Sequence, residues 1–128
     1  MNAPLFHATC LVATRDDVGW VVGLADQEID TKQYLQFQRA HVSDAQYESL
    51  GLDTYYVEKD DQSNSCYGGI ESIDLGANAI KLRLDDAASQ SLKLDRTVLI
   101  TFDADEQTLD GLKRALTAVF AGTGLFRD

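Results

Sequence analysis

The chain is 128 residues long and 45% hydrophobic, and it carries 21 acidic against 11 basic side chains, a net charge of −10. That length fits one domain, residues 1–128, able to bury a core without disulfide or metal staples, and a composition with a single proline excludes a disordered chain. The acidity argues against nucleic acid and anionic membranes as partners, and no stretch approaches the roughly 18 apolar residues of a membrane span.

Phe6 to Ala13 is mostly apolar and reads as a strand, closed by a turn at Arg15-Asp-Asp17 and Gly19. Trp20 to Ala25 is a short apolar run, expected as a largely buried strand, and Asp26 to Gln33 is a polar connection. Tyr34 to Ala40 alternates, Leu35 and Phe37 against Gln36 and Gln38, as a half-buried strand requires. Ser43 to Leu50 is expected as one or two helical turns stopped by Gly51. Asp53 to Lys59 is rich in Tyr, Thr and Val, which favour strands. Asp60 to Ser65 reads as a polar loop, and Cys66 to Leu75 as a strand. The odd spacing of Ile70 and Ile73 implies a slip in its alternation, placed near Gly68-Gly69.

Gly76-Ala-Asn78 marks a hairpin turn into Ala79–Leu84, with Ile80, Leu82 and Leu84 inward. Asp85 or Asp86 can cap a short helix through Leu92, and Thr97 to Phe102 is apolar enough to expect cover on both faces. Leu109, Leu112, Leu116, Val119 and Phe120 then recur at helical spacing, with Asp103 and Glu106 placed like a capping box and Gly122 as the stop. The order predicts an α+β fold: a mostly antiparallel sheet of six to seven strands, a long C-terminal helix and one or two short helices.

The residues that could carry chemistry point away from catalysis. Cys10 and Cys66 form no CxxC, and the two histidines, His7 and His41, lie at no metal-ligand spacing. There is no GxSxG, no phosphate-binding glycine loop, and no feature that calls for a cofactor. The acidic pairs Asp16/Asp17, Asp60/Asp61, Asp85/Asp86 and Asp105/Glu106 fall at turns and helix starts. Asp60-x-Gln62-x-Asn64 followed by Glu71 matches positions one, three, five and twelve of an EF-hand loop, but Ser65 stands where that loop needs glycine and its flanks read as strands. No metal site is expected.

Charge is concentrated in the middle: residues 44–74 hold eight acids and one base. Tyr47, Tyr55, Tyr56 and Tyr67 are interleaved with them. Tyrosine supplies contact area with a polar tip, and dense negative charge speeds encounter with a basic partner. The bland alternative is half-buried strand tyrosines beside ordinary acidic turns.

Tyr34-Leu-Gln-Phe-Gln-Arg39, Gly51-Leu-Asp-Thr-Tyr-Tyr-Val-Glu58 and Tyr67-Gly-Gly-Ile70 together resemble a family, the tenth numbered immunity-protein family of bacterial polymorphic-toxin systems. Asp86-Ala-Ala88, Leu94, Ile100 and Leu109 to Leu116 continue the likeness, which is clearest over residues 20–121. Ser65-Cys66 before Tyr67 departs from the plainer loop of the pattern. The resemblance implies an antitoxin that binds and blocks a cognate toxin protein, with no catalytic residues. An acidic inhibitor suits a basic toxin such as a nuclease, which must neutralise phosphates. The expected contact residues are Tyr56, Glu58, Asp60, Asp61, Tyr67 and Glu71. With no charged leader followed by an apolar core at the N-terminus, the expected location is cytoplasmic.

Two alternatives stay open on the residues alone. One is a small enzyme or ligand-binding domain with a carboxylate-lined pocket built on Glu58 and Arg39; in the other reading Arg39 is structural and pairs with Glu58 or Glu71. Oligomeric state is likewise open, since Trp20–Leu24 could serve as core or as a dimer face.

Overall fold

A computed structural model describes residues 3–40 and 54–128. The expected helix at Ser43–Leu50 lies outside the described residues, as do His41, Tyr47 and Asp53. Among the described residues, ten strands and two helices follow in the order β1 (Phe6–Ala8), β2 (Cys10–Arg15), β3 (Gly19–Ala25), β4 (Tyr34–Ala40), β5 (Tyr56–Lys59), β6 (Asp61–Tyr67), β7 (Ile70–Leu75), β8 (Ala79–Leu84), α1 (Asp86–Leu92), β9 (Thr97–Phe102), α2 (Glu106–Val119) and β10 (Phe126–Arg127).

They form two five-stranded sheets rather than one of six or seven. The first runs β1-β9-β8-β7-β10 and the second β2-β3-β4-β5-β6. The difference comes from two corners. The expected strand Phe6–Ala13 breaks at Thr9, whose N–H donates to the Ala25 carbonyl (2.9 Å) and whose hydroxyl donates to the Asp26 carbonyl (2.6 Å). Residues before that corner pair in parallel with β9, and residues after it pair antiparallel with β3. The second corner is Gly68-Gly69, both at positive φ (74° and 91°), a conformation other residues rarely adopt. A Cβ on Gly69 would also stand 2.6 Å from the Ala88 Cβ of α1. The slip expected there is displaced by one step: the ladder shifts register between Ile70 and Ser72 opposite β8, which accounts for the spacing of Ile70 and Ile73.

Asp60–Ser65 is not a loop. Only Asp60 turns, at φ 64°, and Asp61–Tyr67 continues as β6. This strand sits at an edge of its sheet, where polar side chains are tolerated and discourage further pairing. β9 is covered on one face, with Val98, Ile100 and Phe102 buried and Thr97, Leu99 and Thr101 half-buried. The remaining pairs are antiparallel except β1–β9 and β10–β7.

Helix caps follow the chemistry read from sequence, with one shift. Asp85 caps α1 by accepting from the Ala88 N–H (2.8 Å). Asp105, not Asp103, caps α2 by accepting from the Thr108 N–H (2.7 Å); the Thr108 hydroxyl first, and this N–H second, hold the Asp105 carboxyl below its ordinary range. Asp103 instead stands 3.4 Å from His7 Nε2. Leu112, Ala115, Leu116 and Val119 form the buried stripe of α2, which packs against β2, β3 and β4. Phe120 continues that stripe, its ring 5.7 Å from Phe37 and 4.7 Å from Tyr55. Arg39 completes the seam, donating from Nη1 to the carbonyls of Val119 and Ala121 (both 3.0 Å), which α2 leaves unsatisfied at its end. Among the described residues its partners are therefore carbonyls at and just beyond the end of α2, not Glu58 or Glu71.

Candidate functional site

Alternation along β4 and β5 sorts the side chains of the second sheet. Leu35, Phe37 and Val57 are buried inward under α2 and the core. Gln36, Gln38, Tyr56 and Glu58 therefore point outward, in register across the sheet as Gln36 opposite Glu58 and Gln38 opposite Tyr56. On the next strand Tyr67 lies opposite Tyr56 and Ser65 opposite Glu58. Glu58 thus lies on the outer face between Gln36 of β4 and Ser65 of the edge strand β6.

Its carboxylate is clamped. The Tyr56 hydroxyl donates to Oε1 at 2.7 Å, and the Tyr34 hydroxyl donates to Oε2. The rings of Tyr56 and Tyr67 stack tilted at 5.2 Å, leaving Tyr67 48% exposed. No cation lies within ion-pair distance of Glu58 among the described residues. The clamp thus presents one fixed negative charge, framed by phenol rings, to whatever approaches the sheet. Tyr34 also borders an apolar depression of about 350 Å3 over Gly23, walled by Val12, Val21 and Gln36.

The phenols carry the mark of this arrangement. Burial, then the hydrogen bond to Glu58 and its charge, push the Tyr34 hydroxyl well above the ordinary value near 10. The Tyr56 hydroxyl is raised for the same reasons. Because both folded-state values lie above the ordinary one, the contribution of these phenols to stability is complete below about pH 10 and is lost as pH climbs through the raised values. Tyrosinate absorbance is expected to show three phenols ionising late, Tyr55 among them because its own burial raises it, and Glu58→Gln to move Tyr34 and Tyr56 but not Tyr55 toward the ordinary value. Coincident titration of wild type and Glu58→Gln would rule out the clamp.

Asp60 and Asp61 lie at the hairpin beside the clamp, in different roles. Asp61 is exposed at the sheet edge. Asp60 is committed inward: Oδ1 accepts from the Tyr34 N–H at 2.8 Å, and Oδ2 pairs with the Lys59 ammonium, itself 3% exposed as a residue. Glu71 is separated from the other five. It lies on β7 in the first sheet, 3.1 Å from Arg96 Nη2. The EF-hand spacing is consequently not gathered around one point, since Asp60 is engaged by Lys59 and Tyr34 and Glu71 by Arg96. Among the described residues no three His, Cys, Asp or Glu side chains come together as metal ligands. The pocket imagined between Glu58 and Arg39 does not form either, because the two face opposite sides of the second sheet.

Comparison with known families adds one match: the family model of immunity protein 10 aligns with residues 7–110. The chain belongs to the immunity protein 10 family. No curated protein and no solved structure matches it. As an immunity protein 10 member the chain is an immunity protein, and the family points to binding a cognate toxin rather than to catalysis. The clamp, the Asp60 hairpin and Glu71 all lie inside the matched stretch, while most of α2 and all of β10 lie outside it. No helix among the described residues of this immunity protein is long and apolar enough to cross a membrane.

Proposed function

We propose that this immunity protein neutralises a cognate bacterial toxin domain in the cytoplasm by laying the outer face of its second sheet against a basic surface of the toxin. The observation that carries this reading is Glu58, a carboxylate oriented by two tyrosine hydroxyls and matched by no cation among the described residues. Tyr56 and Tyr67 supply rigid amphipathic area around it, as interface anchors do. Asp61 extends the negative rim, and Asp60 acts from behind by holding Tyr34 in place. The depression over Gly23 takes an apolar side chain of the same toxin. A net charge of −10 adds long-range attraction to a basic partner such as a nuclease. Glu71 stands apart on the other sheet, outside this face.

Co-expression with the product of the adjacent upstream gene tests the reading, scored by growth rescue and co-purification. Rescue with a stable complex is the expected result. A neighbour that is harmless alone and does not co-purify would remove the support for a toxin partner.

A further inference from the structure

A second pocket, of about 490 Å3, opens on the outer face of the first sheet and is lined by Glu71, Ser72, Asp74, Arg83, Arg96 and Arg127. Three arginines from three separate places converge there: β8, the segment between α1 and β9, and β10. They are not equivalent. Arg96 is committed, with Nε donating to the Leu84 carbonyl (3.1 Å), Nη2 paired with Glu71 (3.1 Å) and Nη1 within 3.5 Å of Asp86. The guanidinium groups of Arg83 and Arg127 make no hydrogen bond or ion pair among the described residues, although Asp74 lines the same pocket. Ser72, opposite Arg83 at the register shift, has an equally unengaged hydroxyl.

Arg127 is held there rather than left on a free tail. The Ile73 N–H donates to the Leu125 carbonyl (3.1 Å), β10 pairs in parallel with β7, and Asp128 pairs with Lys113 at 2.6 Å. The fold therefore anchors the backbone of two residues with unspent guanidinium forks, and of Ser72, around one concavity.

We propose that this pocket binds a single oxyanion, a phosphoryl or carboxylate group, through Arg83, Arg127 and Ser72. Planar guanidinium forks match the paired oxygens of such groups, and two of them with a hydroxyl satisfy three oxygens at once. With Arg96 spent on Glu71 and Asp86, Arg83 and Arg127 face Asp74 alone, which leaves this part of the pocket locally positive in a chain of net charge −10. That contrast selects the ligand's size: an extended polyanion meets the acidic remainder of the surface, whereas one small oxyanionic group meets only the pocket. The site lies on the sheet that does not carry the Glu58 clamp, so occupancy is independent of toxin binding.

The test is NMR titration of the full chain with sodium phosphate, and separately with sodium acetate, at constant ionic strength. The expected result is saturable shifts at Ser72 and at the side-chain Nε–H groups of Arg83 and Arg127. Arg83→Gln combined with Arg127→Gln is expected to weaken binding at least about tenfold, and Arg83→Lys to weaken it less, because a lysine keeps the charge but not the fork. Both arginines are exposed, so the rest of the spectrum reports an intact fold. Saturation by phosphate alone identifies a phosphoryl ligand, and saturation by acetate identifies a carboxylate. Shifts that never saturate with either salt, or that persist unchanged in the double variant, overturn the proposal.

Discussion

Glu58→Lys is expected to weaken the complex with the cognate toxin by about a hundredfold or more, equivalent to about 3 kcal/mol, while the protein stays folded. The size follows from the clamp. Two tyrosine hydroxyls already hold the Glu58 carboxylate in one orientation, so little ordering cost remains when a basic side chain arrives. Reversal removes that contact and places like charge against like. Glu58→Gln keeps an acceptor for the phenols and loses only the charge, so its loss is expected to be smaller and its association rate less steeply dependent on salt than that of wild type. Tyr67→Ala separates area from charge, removing the exposed ring without touching the carboxylate. Calorimetry against purified toxin measures all three. A folded Glu58→Lys variant with unchanged affinity would move the interface off this sheet face.

The sequence made the elements legible where a local signal exists. The alternation of Tyr34–Ala40 and Ala79–Leu84, the apolar spacing of α2 and a cap at Asp85 or Asp86 all need only near neighbours, and the structure has them in place, with Asp85 as the cap. The division into two sheets needs more. Thr9 carries no turn signature, and its corner is set by what the flanking residues pair with, β9 before it and β3 after it. Asp61–Ser65 is opaque for a different reason: an edge strand has one solvated flank and tolerates a polar sequence that composition reads as loop. At the site, Tyr56, Glu58 and Tyr67 could be picked out because tyrosines and acids lie close together in the chain. Tyr34 could not, since it reaches Glu58 only through the pairing of β4 with β5. The separation of Glu71 from the clamp has the same origin, because the corner at Gly68-Gly69 sends it to the other sheet. One signal could have been read further. Lys59 is the only base between residues 44 and 74 and shares the inward parity of Val57, which marks it as a buried cation in need of a carboxylate.

Asp60→Ala is accordingly expected to destabilise the fold by about 3 kcal/mol, a larger effect than its place in an acidic turn suggests. The Lys59 side chain is 4% exposed and its ammonium has Asp60 as its carboxylate partner, with the Phe6 ring 5.6 Å away. Removing one member of a buried pair costs about 3–5 kcal/mol; the lower end applies because the Asp60 side chain is 37% exposed and water screens the charge. The same carboxylate accepts from the Tyr34 N–H, and Asp60 sits at φ 64°, which aspartate and asparagine tolerate better than alanine. Asp60→Asn keeps the acceptor and the backbone preference, so it isolates the ionic part and is expected to cost about half as much. Lys59→Met in the Asp60→Asn background removes the stranded charge and is expected to recover most of the loss. Urea denaturation of the set, with m-values compared, reads these differences directly. A cost below about 0.5 kcal/mol for Asp60→Ala would mean that Lys59 reaches water when unpaired. Because Tyr34 hangs from the same carboxylate, Asp60→Ala is also expected to loosen the clamp on Glu58. Weaker toxin binding in that variant then reflects a displaced tyrosine as much as a missing charge, and Asp60→Asn, which keeps Tyr34 in place, is the variant that tells the two apart.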